Sequence, residues 1–198
     1  MSFVRKFFAD GGSVLCHIVV VSLLGLSVFM ASGCKKAVIR NQLKGLMSST
    51  IVLPERITCV NNGEEYPMPD SVRSKAKLIV YIDSTECTSC RISHFGLYNK
   101  AFEISKEKGS FEVVLLLANV SLYEIPLIKY LSDMEYKTPI YVDVDNKFLE
   151  LNPSLPEDRR MRALLLDDAG YPMCVGDPAA SEKMLQVFIG AVNNLTSN

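Results

Sequence analysis

Residues 78–95 read LIVYIDSTECTSCRISHF. The opening Leu78-Ile79-Val80-Tyr81-Ile82 is an unbroken apolar run rich in β-branched residues. It lacks the alternation of a half-exposed strand, so it predicts a strand covered on both faces of a sheet. Cys87-Thr88-Ser89-Cys90 then opens a segment in which Ile92, Phe95, Tyr98 and Phe102 recur at helical spacing. Gly109 stops that helix, with Lys106 and Lys108 placed favourably in its last turn. A pair of thiols therefore stands where a buried strand hands over to a helix.

Working outward, Phe111–Ala118 (FEVVLLLA) predicts a second buried strand, and Ser121 to Met134 a helix with Leu127, Leu131 and Met134 on one side. Pro126 is expected in its first turn, where a missing N–H is harmless. Thr138–Asp143 (TPIYVD) predicts a third strand. Beyond a Pro- and charge-rich loop, Asn152 to Arg160, come a fourth strand (Met161–Leu166), a turn at Asp167-Asp168-Ala169-Gly170 and a further strand (Tyr171–Val175). Ser181 caps a final helix that turns Met184, Phe188, Val192 and Leu195 inward. On the N-terminal side, Ile51–Pro54 and Ile57–Val60 predict short strands, and Asn61-Asn62-Gly63 a turn leading to Glu64–Tyr66. Strands alternating with helices, closed by a hairpin and a helix, make an α/β sandwich with a mixed sheet.

The start of the chain has a different character. Arg5 and Lys6 precede Val14–Ala31, a stretch free of Asp, Glu, Lys and Arg, which ends in Ser32-Gly33-Cys34 and then Lys35-Lys36. A basic start, an apolar run and a small-residue exit describe a secretory signal; a permanent membrane helix needs about 20 apolar residues. Ser32-Gly33-Cys34 resembles the lipobox of bacterial lipoproteins, although Ala31 stands where Leu is commoner. That resemblance implies cleavage before Cys34 and acylation of its thiol, a stable tether at about 0.8 kcal/mol per buried methylene. Residues 34–50 then act as a tether or spacer, with Val38, Leu43, Leu46 and Met47 expected to pack.

The 198 residues carry 21 Lys+Arg against 22 Asp+Glu, a formal net charge of -1, with 48% hydrophobic residues and no Trp. Such a balance argues against nucleic acid, whose binders present a basic surface. No GxGxxG follows a strand, so no bound dinucleotide is expected, and no cofactor is assigned. With Cys16 in the signal and Cys34 acylated, Cys59, Cys87, Cys90 and Cys174 remain of the six cysteines. An exported chain lives where disulfides persist. At a helix N-terminus, Cys87 faces unpaired amides and the positive end of the dipole, which favour a thiolate and make it the candidate nucleophile. Cys90, one turn on, is the candidate resolving thiol. Thr88 and Ser89 offer hydrogen bonds to a thiolate. Glu86 opposes ionisation of Cys87 and Arg91 favours it.

LIVYIDSTECTSCRISHF, the element order around it and the Leu166-Asp167-Asp168-Ala169-Gly170 turn resemble the thioredoxin superfamily, nearest its TlpA/ResA-like membrane-tethered extracytoplasmic members. The resemblance implies a thioredoxin-like domain over 51–198, following a signal at 1–33. It also implies disulfide exchange outside the cytoplasm, in a bacterial cell envelope, with protein clients and a separate electron donor. Two departures stand out. Glu86 replaces the usual Trp, and Met161 occupies the place of the family's cis-proline, where a non-proline residue is expected to be trans.

Other uses of the same residues are open at this level. Zinc needs two more ligands than the pair supplies. Copper held by Cys87, Cys90 and His94 suits soft thiolates plus imidazole, and would make the domain a delivery or interaction module. Cys59 and Cys174 are expected as buried fillers, a disulfide between them being a question of geometry. Asp83, Asp143 and Asp145 follow strand ends and are expected as solvated turn carboxylates.

Overall fold

The structure is a computed structural model that describes residues 37–195. The signal at 1–33 and the lipidation site Cys34 lie outside the described residues. The chain divides into two compact units after Leu43, and the sheet with its flanking helices belongs to the unit that begins at Lys44. Helix α1 covers residues 37–47. Of its expected packing stripe only Leu46 is buried; Val38, Leu43 and Met47 are exposed. Among the described residues no helix is long and apolar enough to cross a membrane.

Ile57–Asn61 (β1) and Glu64–Pro67 (β2) form an antiparallel hairpin through Asn62 and Gly63, which both adopt positive φ. Ile51–Pro54, expected as a strand, is irregular and leads into it. The short helix Asp70–Ser74 (α2) precedes Lys77–Ile82 (β3), all six residues of which are buried. Thr88–Ser93 (α3) follows, then a 3-10 turn at Phe95–Tyr98 and Asn99–Lys108 (α4), which Gly109 ends in the left-handed region. Glu112–Ala118 (β4) is succeeded by a two-residue-per-arm hairpin, Ser121–Leu122 (β5) and Ile125–Pro126 (β6), and by Leu127–Asp133 (α5). The helix expected over 121–134 is therefore only its second half. Ile140–Asp143 (β7), Phe148–Leu151 (α6), Ala163–Leu166 (β8), Pro172–Val175 (β9) and Glu182–Leu195 (α7) complete the order.

Seven of the described strands form one sheet, ordered β2-β1-β7-β4-β3-β8-β9. β4 runs parallel to both β3 and β7, while β8 runs antiparallel to β3 and β9 to β8. This is a mixed sheet flanked by helices, the α/β architecture expected from strands alternating with helices. Strand alternation sends Leu78, Val80, Ile82, Leu115 and Leu117 to one face, against Ile92, Phe95, Ala101, Leu127, Leu131 and Phe188. It sends Ile79, Tyr81, Val114 and Leu116 to the other, against Leu46, Ile51, Met68 and Phe148. Two covered faces explain why the central strands are apolar throughout except at the charged residues Lys77, Glu112 and Asp143 at their ends.

The β8–β9 turn is held at its end. Gly170 has φ +88°, a conformation that L side chains rarely adopt, and its carbonyl accepts the Ile51 amide at 2.9 Å. A Cβ there would meet the Ile51 carbonyl oxygen at 2.9 Å. Gly170→Ala is expected to lose about 1–3 kcal/mol of stability, measurable as a lower urea midpoint at unchanged m-value.

Candidate active site

β3 ends at Ile82, and the chain leaves the sheet through Asp83-Ser84-Thr85-Glu86 before Cys87 takes the N-cap position of α3. Cys87 and Cys90 are joined by a disulfide, their Cα atoms 5.3 Å apart, and both residues are exposed. The cap residue has φ −70° and ψ 90°, and its sulfur takes no capping hydrogen bond in this oxidised form. No amide at the start of α3 bonds to the Cys87 sulfur. Ser89 Oγ lies 3.6 Å from Cys87 Sγ, whereas Thr88 is buried.

A polar clamp holds the segment in front of the disulfide. Asp83 is only 5% exposed and forms an ion pair with Arg162, itself 8% exposed. The same carboxylate accepts the amide (2.7 Å) and the hydroxyl of Thr85. Arg159 adds a bond of 2.6 Å to Thr85 Oγ1. Both arginines come from the stretch leading into β8, where a 3-10 turn covers Arg159–Met161. Met161 is buried, and every peptide bond among the described residues is trans. The strand begins at Ala163 rather than Met161, because residues 159–161 turn instead of extending.

A second network lies on the helix side. Arg91 Nε is 3.7 Å from Glu86 Oε2, and its terminal nitrogen donates to Tyr98 Oη at 3.4 Å. Tyr98 in turn donates to Asp177 Oδ2 at 2.9 Å. Burial, and then the Asp177 carboxylate, push the Tyr98 hydroxyl far above its ordinary range, so it stays protonated. The carbonyl of Cys90 is engaged twice, by Ser93 Oγ at 2.7 Å and by His94 Nδ1 at 2.6 Å. The carbonyl can only accept, so Nδ1 carries the proton.

The remaining cysteines are kept apart. Cys59 on β1 and Cys174 on β9 are both buried, on opposite faces of the sheet. Five strand steps separate them, about 24 Å, far outside the reach of a disulfide. Burial pushes both thiols up, the Tyr66 and Tyr141 hydroxyls offsetting part of the rise at Cys59. Two of the three carboxylates expected to be solvated are not. Asp83 and Asp143 are buried, Asp143 accepting the Phe148 amide at 2.7 Å, while Asp145 pairs with Arg56 near the surface. Among the described residues no three His, Cys, Asp or Glu side chains converge as a metal cage. Sequence reasoning missed Arg159, Arg162, Tyr98 and Asp177. The basic run Arg159-Arg160-Met161-Arg162 was a signal for the first two.

No protein-family model matches the chain, and no curated protein matches it. Solved structures with related architecture include a protein assigned as thiol:disulfide interchange protein DsbE from Chlorobium tepidum. It is 19% identical, covering 73% of this chain and 98% of that one, at a TM-score of 0.47. Another is the thioredoxin domain of a thiol-disulfide oxidoreductase from Bacteroides vulgatus, 14% identical over 73% and 98% of the two chains, TM-score 0.46.

Proposed function

We propose that this chain is an extracytoplasmic thiol–disulfide oxidoreductase, tethered by a lipidated Cys34 to a membrane of a bacterial cell envelope and facing its periplasm or exterior. The observation that carries the reading is the solvent-exposed Cys87–Cys90 disulfide at the junction of a buried strand and a helix. In the reducing direction, the Cys87 thiolate attacks one sulfur of a client disulfide and the other client sulfur leaves as a thiolate. Cys90 then attacks Cys87 Sγ, which releases the second client thiolate and closes the Cys87–Cys90 bond. Two electrons pass to the client. A separate dithiol donor restores the pair by the same steps run from its side, so no bound cofactor is needed.

The test is turnover of insulin disulfides by dithiothreitol, followed by precipitation of the reduced chains. The protein is expected to accelerate the reaction at catalytic concentration. A rate equal to that of dithiothreitol alone refutes the activity. Membrane attachment is tested separately, by detergent-phase partitioning of the expressed full chain and of its Cys34→Ser variant.

A further inference from the structure

We propose that Arg91 is a positioning residue which sets the reactivity of Cys87 by neutralising Glu86 while Tyr98 and Asp177 hold its guanidinium in place. The inference deepens the exchange function proposed above and rests on it.

Glu86 immediately precedes the exposed Cys87, and its side chain is only 12% exposed. A carboxylate so close, and so poorly solvated, disfavours a thiolate beside it. Arg91 follows Cys87 by four residues, and its amide donates to the Cys87 carbonyl at 3.0 Å. Residues i and i+4 share a helix face, and helical side chains lean toward the N-terminus. The guanidinium therefore folds back toward the capping cysteine, where Glu86 meets it at 3.7 Å. A surface arginine free to rotate would contribute little. This one is tied on its far side to Tyr98, which is buried and anchored by Asp177 in the loop before α7. One positive charge is thereby held over the first turn of α3 by residues from three separate segments.

The other charged and titratable groups around the motif are already committed. Asp83 pairs with Arg162, Arg159 bonds to Thr85, and His94 bonds through Nδ1 to the Cys90 carbonyl at the opposite end of α3. Glu86 and Arg91 are the pair of opposite charges on either side of Cys87 in sequence.

The experiment uses the full chain reduced with dithiothreitol and freed of it. Iodoacetamide alkylation of Cys87 is followed across pH by peptide mass spectrometry. Arg91→Gln is expected to raise the midpoint by about one pH unit. Below both midpoints the rate then falls only about threefold, since a less acidic thiol is the better nucleophile once ionised. Glu86→Gln lowers the midpoint, and the double variant returns it close to the parent value. Tyr98→Phe, which keeps both charges and removes the tie, shifts it in the Arg91→Gln direction by a smaller amount. Arg91→Lys, which keeps the charge, restores most of the shift and guards against misfolding as the cause.

An unmoved midpoint in Arg91→Gln, or identical behaviour of Arg91→Lys and Arg91→Gln, overturns the role of Arg91 while leaving exchange intact. If Cys87 of the parent protein alkylates no faster than the same residue in urea, the exchange function fails and this inference falls with it.

Discussion

Cys87→Ser is expected to abolish insulin reduction, whereas Cys90→Ser is expected to accumulate a covalent adduct between the protein and its client. The two outcomes differ because, in the proposed cycle, the two sulfurs act at different steps. Without Cys87 no mixed disulfide forms, and loss of the nucleophile is expected to lower the rate to the background of the reductant. Without Cys90 the first step proceeds and the second has no attacking thiolate within one helical turn. The adduct then survives on non-reducing gels and disappears with added dithiothreitol. Both residues are exposed in the oxidised form, so access limits neither step. Parent-like turnover by both variants would place the chemistry elsewhere. The buried Cys59 and Cys174 would then have to carry it, against everything their surroundings favour.

Asp83→Leu is expected to produce the largest loss of stability of any single substitution near the site. It strands Arg162 in the interior and frees Thr85, whose amide and hydroxyl both bond to that carboxylate. Removing one partner of a buried ion pair leaves an uncompensated charge, a loss of about 3–5 kcal/mol. In a domain of this size each kcal/mol lowers the melting temperature by about 2–4 °C. The paired change Asp83→Leu/Arg162→Met removes both charges and is expected to recover most of the loss, because apolar replacement of a whole buried pair is often neutral. Calorimetry of the three proteins, with the disulfide closed, checks this. A single variant within about 1 kcal/mol of the parent would show that water relieves Arg162 and that the clamp is weak. The double variant should stay slower in insulin turnover even when fully folded, since the segment ahead of Cys87 has then lost its ion-pair tie to the stretch entering β8 and keeps only the Arg159–Thr85 bond.

What was legible in the sequence was whatever depends on neighbours along the chain. The unbroken run 78–82 marked a strand with two covered faces, and the strand-to-helix position of Cys87 and Cys90 followed from it. What escaped depends on distant pairing or on local backbone choices without a residue signature. Asp83 looked like a solvated turn carboxylate because its partner Arg162 lies 79 positions away (162 − 83) and only the β3–β8 pairing brings them together. The helix expected from Ser121 begins late because Tyr123 and Glu124 take positive φ values of 52° and 64°. Neither is a glycine or asparagine that would have announced a left-handed turn. The helix after Cys90 breaks at His94 for a similar reason. Its φ and ψ of −101° and 7° leave the helical register and admit a 3-10 turn before α4, yet the apolar spacing of Ile92, Phe95 and Tyr98 is compatible with either helix type.

The burial of Cys59 and Cys174 on opposite sides of the sheet gives the molecule two internal sentinels. A chain with the proposed exchange activity risks scrambling its own bonds, and here the spare thiols are sequestered as long as the sheet stays assembled. Once it opens, both become ready partners for the bridge at the surface, and the chain can lock itself into mispaired forms. Its working lifetime is therefore governed less by the depth of its free-energy minimum than by how seldom that sheet parts.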